Sequence, residues 1–345
     1  MLASMGRGCT APNPMVGAVL VHNGCIIGEG YHRKYGEAHA EVDCLNSVRE
    51  NDRHLIPDST IYISLEPCAH FGKTPPCASR IIAENIKEVV VCNNDPFAEV
   101  NGKGFEMLHQ KGIKTTSGIL EKEGLWLNRR FFRFHTHRRP YVILKWAQTQ
   151  RGFFAPLNRT RYQMSNRHSM QLVHRWRTEE AAILVGTNTC LSDDPILTAR
   201  LWKGKQPLRI VIDRKLVLPS GLRIFNEEAD TWVVNEVKES KERNIRYVKL
   251  DFLDDVISQL LFRLHEAGIM SLIVEGGASL LENFIQKGLW DEARVFHTPD
   301  VLNEGIPAPM LMNAFPAFNC ALETDSLHVY THQDNPYRYI PEMEL

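Results

Sequence analysis

The stretch that decides the fold is AHAEVDCLN (Ala38–Asn46), followed after a short strand by SLEPC (Ser64–Cys68) and then by AHFGKTPPCASRIIAEN (Ala69–Asn85). One imidazole, His39, and two thiols, Cys68 and Cys77, suit Zn²⁺ (one per chain), and three protein ligands leave its fourth tetrahedral position open, as a catalytic site requires. Ala38–Asn46 has helical spacing, and a second helical run opens at Cys77 after Pro75 and Pro76. His39 and Cys77 are therefore expected in first turns of helices, where backbone N–H groups favour the thiolate of Cys77. Glu41 reaches a metal-bound water as general base and then general acid. Two other readings use the same residues: ordinary buried thiols, or a closed structural zinc site with Cys44 or His70 as fourth ligand.

Working outward, 345 residues are long for one core and predict two domains. A net charge of −1 and a pI near 6.9 exert no general pull toward nucleic acid or membrane. The opening MLASMGRGCTAPNP lacks the apolar core of a signal peptide, and no apolar run approaches the roughly 20 residues that span a bilayer. Six of the eight cysteines fall before residue 93, with no regular pairing framework, so a soluble cytoplasmic protein with reduced thiols is expected.

Strands are predicted at Met15–Val21 and Cys25–Gly28 around a His22-Asn23-Gly24 turn, then at Ser59–Leu65, Lys87–Cys92 and Ile113–Thr116, alternating with helices. This alternation is α/β, with ligands at the carboxyl ends of the strands, where Cys68 and Asp95 lie. A helical run over 118–136 ends in RRFFRFHTHRRP (Arg129–Pro140). Its arginines and aromatics could stack on nucleic acid, but a helix with its Phe residues inward and its arginines in water accounts for the same pattern. Pro140 sets the boundary between domains 1–139 and 140–345.

The strand pattern restarts beyond it at Tyr141–Trp146, Ala181–Val185, Leu208–Ile212, Thr231–Val234, Ile245–Leu250, Ser271–Val274 and Ala293–His297, with helical runs at 166–177, 253–267 and 278–287. LIVEGGASLLENFI (Leu272–Ile285) runs a buried strand through Glu275 into Gly276 and Gly277 and then a helix, a geometry that lets backbone N–H groups approach a cofactor phosphate; a glycine kept for steric reasons explains it equally. TNTCLSDDPILTAR (Thr187–Arg200) reads as a polar loop. Lys145, alone in an apolar strand, needs an anionic partner, either a bound substrate or a structural salt bridge.

The chain resembles the bifunctional riboflavin biosynthesis family that joins a pyrimidine deaminase to a pyrimidine reductase. The motifs are APNPMVGAVLV, GEGYHRKYGEAHAE, SLEPCAHFGKTPPC, Asp95-Pro96 with NGKG, Lys145, HRWR, ILVGTNT, DDPILTAR, LRIVID and VEGG. His39-x-Glu41 with Pro67-Cys68 and Cys77 is similar to the zinc-deaminase signature, with eight residues between the cysteines rather than two.

The resemblance implies an N-terminal cytidine-deaminase-like three-layer α/β/α domain and a C-terminal dihydrofolate-reductase-like α/β domain. The first would deaminate 2,5-diamino-6-(ribosylamino)-4(3H)-pyrimidinone 5′-phosphate, and the second would reduce its ribosyl group to ribityl with NADPH. It implies zinc on His39, Cys68 and Cys77, with Glu41 as proton shuttle. Substrate positions are Asn13, His32, His70 and Lys73 in the first domain and Lys145, Arg177, Leu197, Arg200 and Glu275 in the second. Cofactor positions are Ala147, Thr189, Asp193 and the turn Gly276, Gly277, Ala278, Ser279 and Leu280. A homo-oligomer, dimer or tetramer, acting on small phosphorylated pyrimidines is expected, with no nucleic acid and no membrane. The chain departs from the family pattern at Phe97, Ala98, Arg151, Arg161 and Gln163. The competing functions are a nucleoside or tRNA base deaminase with an unrelated C-terminal domain, and a non-catalytic zinc-stabilised nucleic-acid-binding module using Arg129–Arg139.

Overall fold

The computed structural model describes residues 1–69, 75–97, 100–158 and 162–343. The chain divides into two units, Met1–His137 with Ile340–Leu345, and Arg138–Tyr339. A boundary at Pro140 predicts one domain over 140–345; instead the last described residues join the first unit. There Met343 packs on Ala3, Met15 and Leu127, and its carbonyl accepts a hydrogen bond from Arg7.

In the first unit, β1 (Gly17–His22) and β2 (Cys25–Tyr31) form a hairpin whose turn residues, Asn23 and Gly24, both hold the positive φ that a two-residue turn demands. β3 (Thr60–Leu65), β4 (Glu88–Asn93) and β5 (Lys114–Ser117) run parallel, in the sheet order β2-β1-β3-β4-β5. α1 (Ala40–Ser47), α2 (Cys77–Ala83) and α3 (Lys103–His109) contribute Leu45, Ile81 and Leu108 to a core with Ile61, Ile63, Val89 and Val91. α1 lies so close to the sheet that a Cβ on Gly30 would sit 2.2 Å from the Cys44 nitrogen. A residue without a side chain is required there to bring the His39 end of the helix to the strand ends.

Where one helical run was expected over 118–136, two helices form, α4 (Glu121–Leu127) and α5 (Arg129–His137). The break is Asn128, whose amide exchanges hydrogen bonds of 2.8 and 2.9 Å with the Met15 main chain. Phe131 and Phe132 face inward as expected, but Arg129 and Arg133 are buried with them, 0% and 4% exposed, rather than solvated.

In the second unit an almost wholly apolar run opens β6 (Tyr141–Thr149), followed by β7 (Phe153–Ala155), α6 (Arg167–Glu179), β8 (Ala182–Gly186), α7 (Thr187–Asp193), β9 (Leu208–Ile212), β10 (Thr231–Asn235), β11 (Ser240–Glu242) and β12 (Ile245–Lys249). α8 (Val256–Glu266), β13 (Ser271–Val274), α9 (Ala278–Gln286), β14 (Glu292–Thr298), β15 (Ile306–Pro307), β16 (Ala314–Leu322) and β17 (Asp325–His332) complete it. The main sheet has the order β11-β12-β10-β9-β8-β13-β6-β14-β17-β16, parallel from β12 through β14. Val142, Leu144, Leu184, Leu272 and Val274 pack against Leu260, Leu264, Leu281 and Phe284.

Thr187–Asp193, read as loop, is the helix α7. The β16–β17 hairpin at the sheet edge was not anticipated, because Pro316 interrupts its sequence at an irregularity in the pairing.

Asn166 starts α6 by accepting the Ser169 N–H at 2.9 Å and ties it to the hairpin by donating to the Leu322 carbonyl at 2.6 Å. Asn166→Ala should cost about 1–2 kcal/mol and lower the melting temperature by roughly 4 °C. A melt superimposable on wild type would show that the cap contributes nothing.

Candidate active sites

His39 is the residue before α1, in extended conformation (φ −72°, ψ 163°), rather than in its first turn as expected; Cys77 is the first residue of α2, and Cys68 lies just beyond β3. The His39 Nδ1 atom is 3.6 Å from the Cys68 sulfur and 3.3 Å from the Cys77 sulfur, and all three donor atoms lie within 4.8 Å of one another. No other such group of three occurs among the described residues, and Cys44 is not part of it. Cys44 instead packs in the apolar core with Ala40 and Leu45, so the closed site with Cys44 as ligand is not formed. One nitrogen and two sulfurs at these separations fit a tetrahedral zinc ion with one position open.

The backbone donor expected to favour the Cys77 thiolate acts on its neighbour instead. The Cys77 N–H donates to the Cys68 sulfur at 3.2 Å. The hydrogen bond from the Cys77 thiol, together with His39 and this N–H, lowers Cys68 to about 4 against the cost of burial. Sharing that proton, and burial, raise Cys77.

Glu41 stands in the first turn of α1 and is 3% exposed. Burial first, then the Cys68 charge, pushes its carboxyl up to about 7. The His32 Nδ1 donates to the Ala38 carbonyl at 2.9 Å, which leaves its Nε2 to accept from the Asn13 amide at 3.1 Å. These two expected substrate residues thus stand beside the metal ligand, with the His32 and His39 rings 5.4 Å apart edge to face. His70 and Lys73 lie outside the described residues, as do Ala98 and Arg161.

Glu66 was missed as a site-building residue. Its buried carboxylate accepts the main-chain N–H groups of Asp95, Gly102 and Gly104 at 3.2, 3.1 and 3.0 Å. These bonds lay Asp95, Gly102 and Gly104 against the turn that carries Cys68, and a Cβ on Gly104 would come within 2.2 Å of the Pro67 carbonyl. The readable signal was a carboxylate between an apolar strand and a proline.

The second site is a cleft of about 870 Å³ where β8 and β13 end against the middle of β6, lined entirely by residues of the second unit. Every residue expected in the reductase site lines it. Lys145 and Ala147 come from β6, Arg177 from α6, Thr189 and Asp193 from α7, Leu197 and Arg200 from the segment after it, and Glu275 with Gly276–Leu280 from the β13–α9 turn. The Glu275 main-chain N–H continues the β13–β8 ladder to the Leu184 carbonyl, and its side chain receives the Arg177 guanidinium at 2.7 and 3.3 Å. Burial drives the Glu275 carboxyl up, but Arg177 and Lys145 outweigh it and hold it at about 2. Burial lowers the Lys145 ammonium against the pull of Glu275, and among the described residues no carboxylate approaches within the 4.0 Å of an ion pair. The structural salt bridge therefore does not form. His174, unassigned in the sequence reading, also lines the cleft; its signal was its position three residues before Arg177 on one helix face.

The family description of the cytidine and deoxycytidylate deaminase zinc-binding region matches residues 1–93, and that of the RibD C-terminal domain matches residues 140–315. The chain is 42% identical over 312 residues to the riboflavin biosynthesis protein RibD of Aquifex aeolicus, covering 88% of this chain and 86% of that one. The chain belongs to the RibD family. It is also 34% identical over 321 residues to RibD of Escherichia coli, covering 87% of this chain and 86% of the relative. A crystal structure from Thermotoga maritima, described as a diaminohydroxyphosphoribosylaminopyrimidine deaminase/5-amino-6-(5-phosphoribosylamino)uracil reductase, superposes with a TM-score of 0.87 at 32% identity, covering 96% of this chain and 95% of that one. Acinetobacter baumannii RibD superposes at 0.86 with 30% identity, covering 96% of this chain and 95% of that one. As in this RibD family, the first unit is a deaminase-like three-layer α/β/α domain and the second a dihydrofolate-reductase-like α/β domain.

Cys77→Ser removes one of two sulfur donors, so zinc measured by atomic absorption should fall from about one per chain to near none. Full zinc content in the purified variant would remove Cys77 from the ligand set.

Proposed function

We propose that the chain performs two successive steps of riboflavin biosynthesis: hydrolytic deamination of 2,5-diamino-6-(ribosylamino)-4(3H)-pyrimidinone 5′-phosphate in the first unit, and NADPH-dependent reduction of the ribosyl group to ribityl in the second. The observation that carries the first step is the convergence of His39, Cys68 and Cys77 with Glu41 buried behind His39 on α1. Zinc held by these three residues would supply an activated water for the hydrolysis. Glu41, its carboxyl pushed up to about 7, is the group placed to hold and move a proton in an exchange of water for ammonia. Asn13 and His32 are the described substrate positions of this unit, and Lys73, outside the described residues, is assigned to the phosphate by the family resemblance.

In the second unit Lys145, Arg177 and Arg200 line the cleft together with Glu275, and side chains of that kind suit an anionic sugar phosphate. Ala147, Thr189, Asp193 and the Gly276–Leu280 turn would hold the cofactor, a glycine turn of this kind suiting its diphosphate. The nucleic-acid module reading loses support because Arg129 and Arg133 are buried. Among the described residues no helix is long and apolar enough to cross a membrane. We place the enzyme in the cytoplasm as a homo-oligomer.

Incubation with the diamino pyrimidine phosphate should give a product about one mass unit heavier without NADPH, NH being replaced by O, and about two units heavier again with it. An unchanged mass in both would refute the assignment. Glu41→Gln should keep its zinc and lose deamination by about three orders of magnitude or more, since it removes the proton carrier and leaves the ligands. Near-normal turnover in the zinc-replete variant would take that role from Glu41.

A further inference from the structure

The segment Ile196–Leu201 carries three cleft residues, Ile196, Leu197 and Arg200, yet belongs to no helix or strand. Leu197 holds φ at +60°, a left-handed conformation that a branched residue keeps only where its surroundings over-determine it. Side chains grip the main chain on both sides of it. Arg209 of β9 donates to the Ile196 carbonyl at 3.4 Å and Arg177 to the Thr198 carbonyl at 3.3 Å, while Gln206 holds Ala199 at both its N–H (2.7 Å) and its carbonyl (3.2 Å). The last grip is His174 on α6, whose Nδ1 accepts the Arg200 N–H at 2.8 Å and faces the Leu201 N–H at 3.4 Å.

An imidazole that accepts at Nδ1 is neutral and carries its proton at Nε2. The ring is 4% exposed. Burial, with Arg177 on its own helix, Arg200 on the gripped segment and Lys145 on β6, lowers it to about 4 against the opposing pull of Glu275. Protonation would set an N–H against the Arg200 N–H, so the surrounding cations preserve the acceptor. An apolar residue of the same size would fill the volume but leave that N–H without its partner.

We propose that His174 is a positioning residue of the reductase: its Nδ1 lone pair fixes the Arg200 main chain so that the Arg200 guanidinium meets the anionic group of a sugar-phosphate substrate. This rests on reading the cleft as the reductase site.

The test compares His174→Leu, which keeps bulk and removes the acceptor, with His174→Asn, which offers an amide oxygen near the place of Nδ1. His174→Leu should raise KM for the ribosylamino substrate roughly tenfold or more, the consequence of a buried donor left unmet. KM for NADPH and the deamination rate should stay put, and His174→Asn should restore most of the loss. Ribose 5-phosphate binding, read by calorimetry without turnover, should weaken in the same order. A wild-type protein that binds ribose 5-phosphate but does not oxidise NADPH would count against the proposed activity, while the binding series still decides the role of His174. Wild-type KM and affinity in His174→Leu would overturn the proposal, as would equal losses in substrate, NADPH and melting temperature. Should His174→Leu fail to fold, His174→Gln takes its place: its amide reaches toward Nε2 rather than Nδ1, so it should fail where Asn succeeds, and equal behaviour of the two would overturn the idea.

Discussion

A carboxylate carried out of water on the end of a buried strand must be met by donors, and each active site takes its shape from the way one is met. Glu66 follows β3 and is met by three main-chain N–H groups, so its charge brings Asp95, Gly102 and Gly104 onto the turn of Cys68. Glu275 follows β13 and is met by a guanidinium, so its charge draws α6 to the strand ends and holds Lys145 in its field. In the first unit the acid is consumed in building the scaffold. In the second it stays inside the cleft, paired with Arg177.

Parallel strands explain why both sites lie where they do. β3 ends beside β4, and β13 and β8 end against the middle of β6, so residues distant in sequence come together there. Cys68 leaves β3 and Asp95 leaves β4; Glu275 and the start of α7 leave β13 and β8 near Lys145, which stands on β6 one residue past the partner of Val274. The close approach at Gly30 then sets α1, and with it His39 and Glu41, against the strand ends of the first unit.

The parts legible in the sequence were those decided locally. Fully apolar runs such as Tyr141–Trp146 and Ser271–Val274 read as buried strands, and the donor types at His39, Cys68 and Cys77 read as a metal site. What escaped was decided by partners far along the chain. The helical run after Gly118 breaks at Asn128 because that side chain bonds Met15, 113 positions away. Thr187–Asp193 is rich in residues that favour turns, yet it forms a helix off the end of β8. Arg129 and Arg133 were read as wet because charge in a sequence carries no record of the aromatic and main-chain groups that will enclose it; the Arg129 guanidinium lies 3.6 Å from the centre of the Trp126 ring. His174 escaped for the same reason, since the Arg200 N–H it accepts lies 26 residues on.

The return of the last described residues to the first unit makes the second unit an insertion, entered at Arg138 and left at Tyr339. On the ribosome, the Ala3–Met15–Leu127 surface emerges early and waits for some two hundred residues until Met343 arrives to cover it. The reductase unit is therefore synthesised while its neighbour still exposes an apolar patch, and the order of translation gives chaperones a reason to attend the nascent chain at that stage.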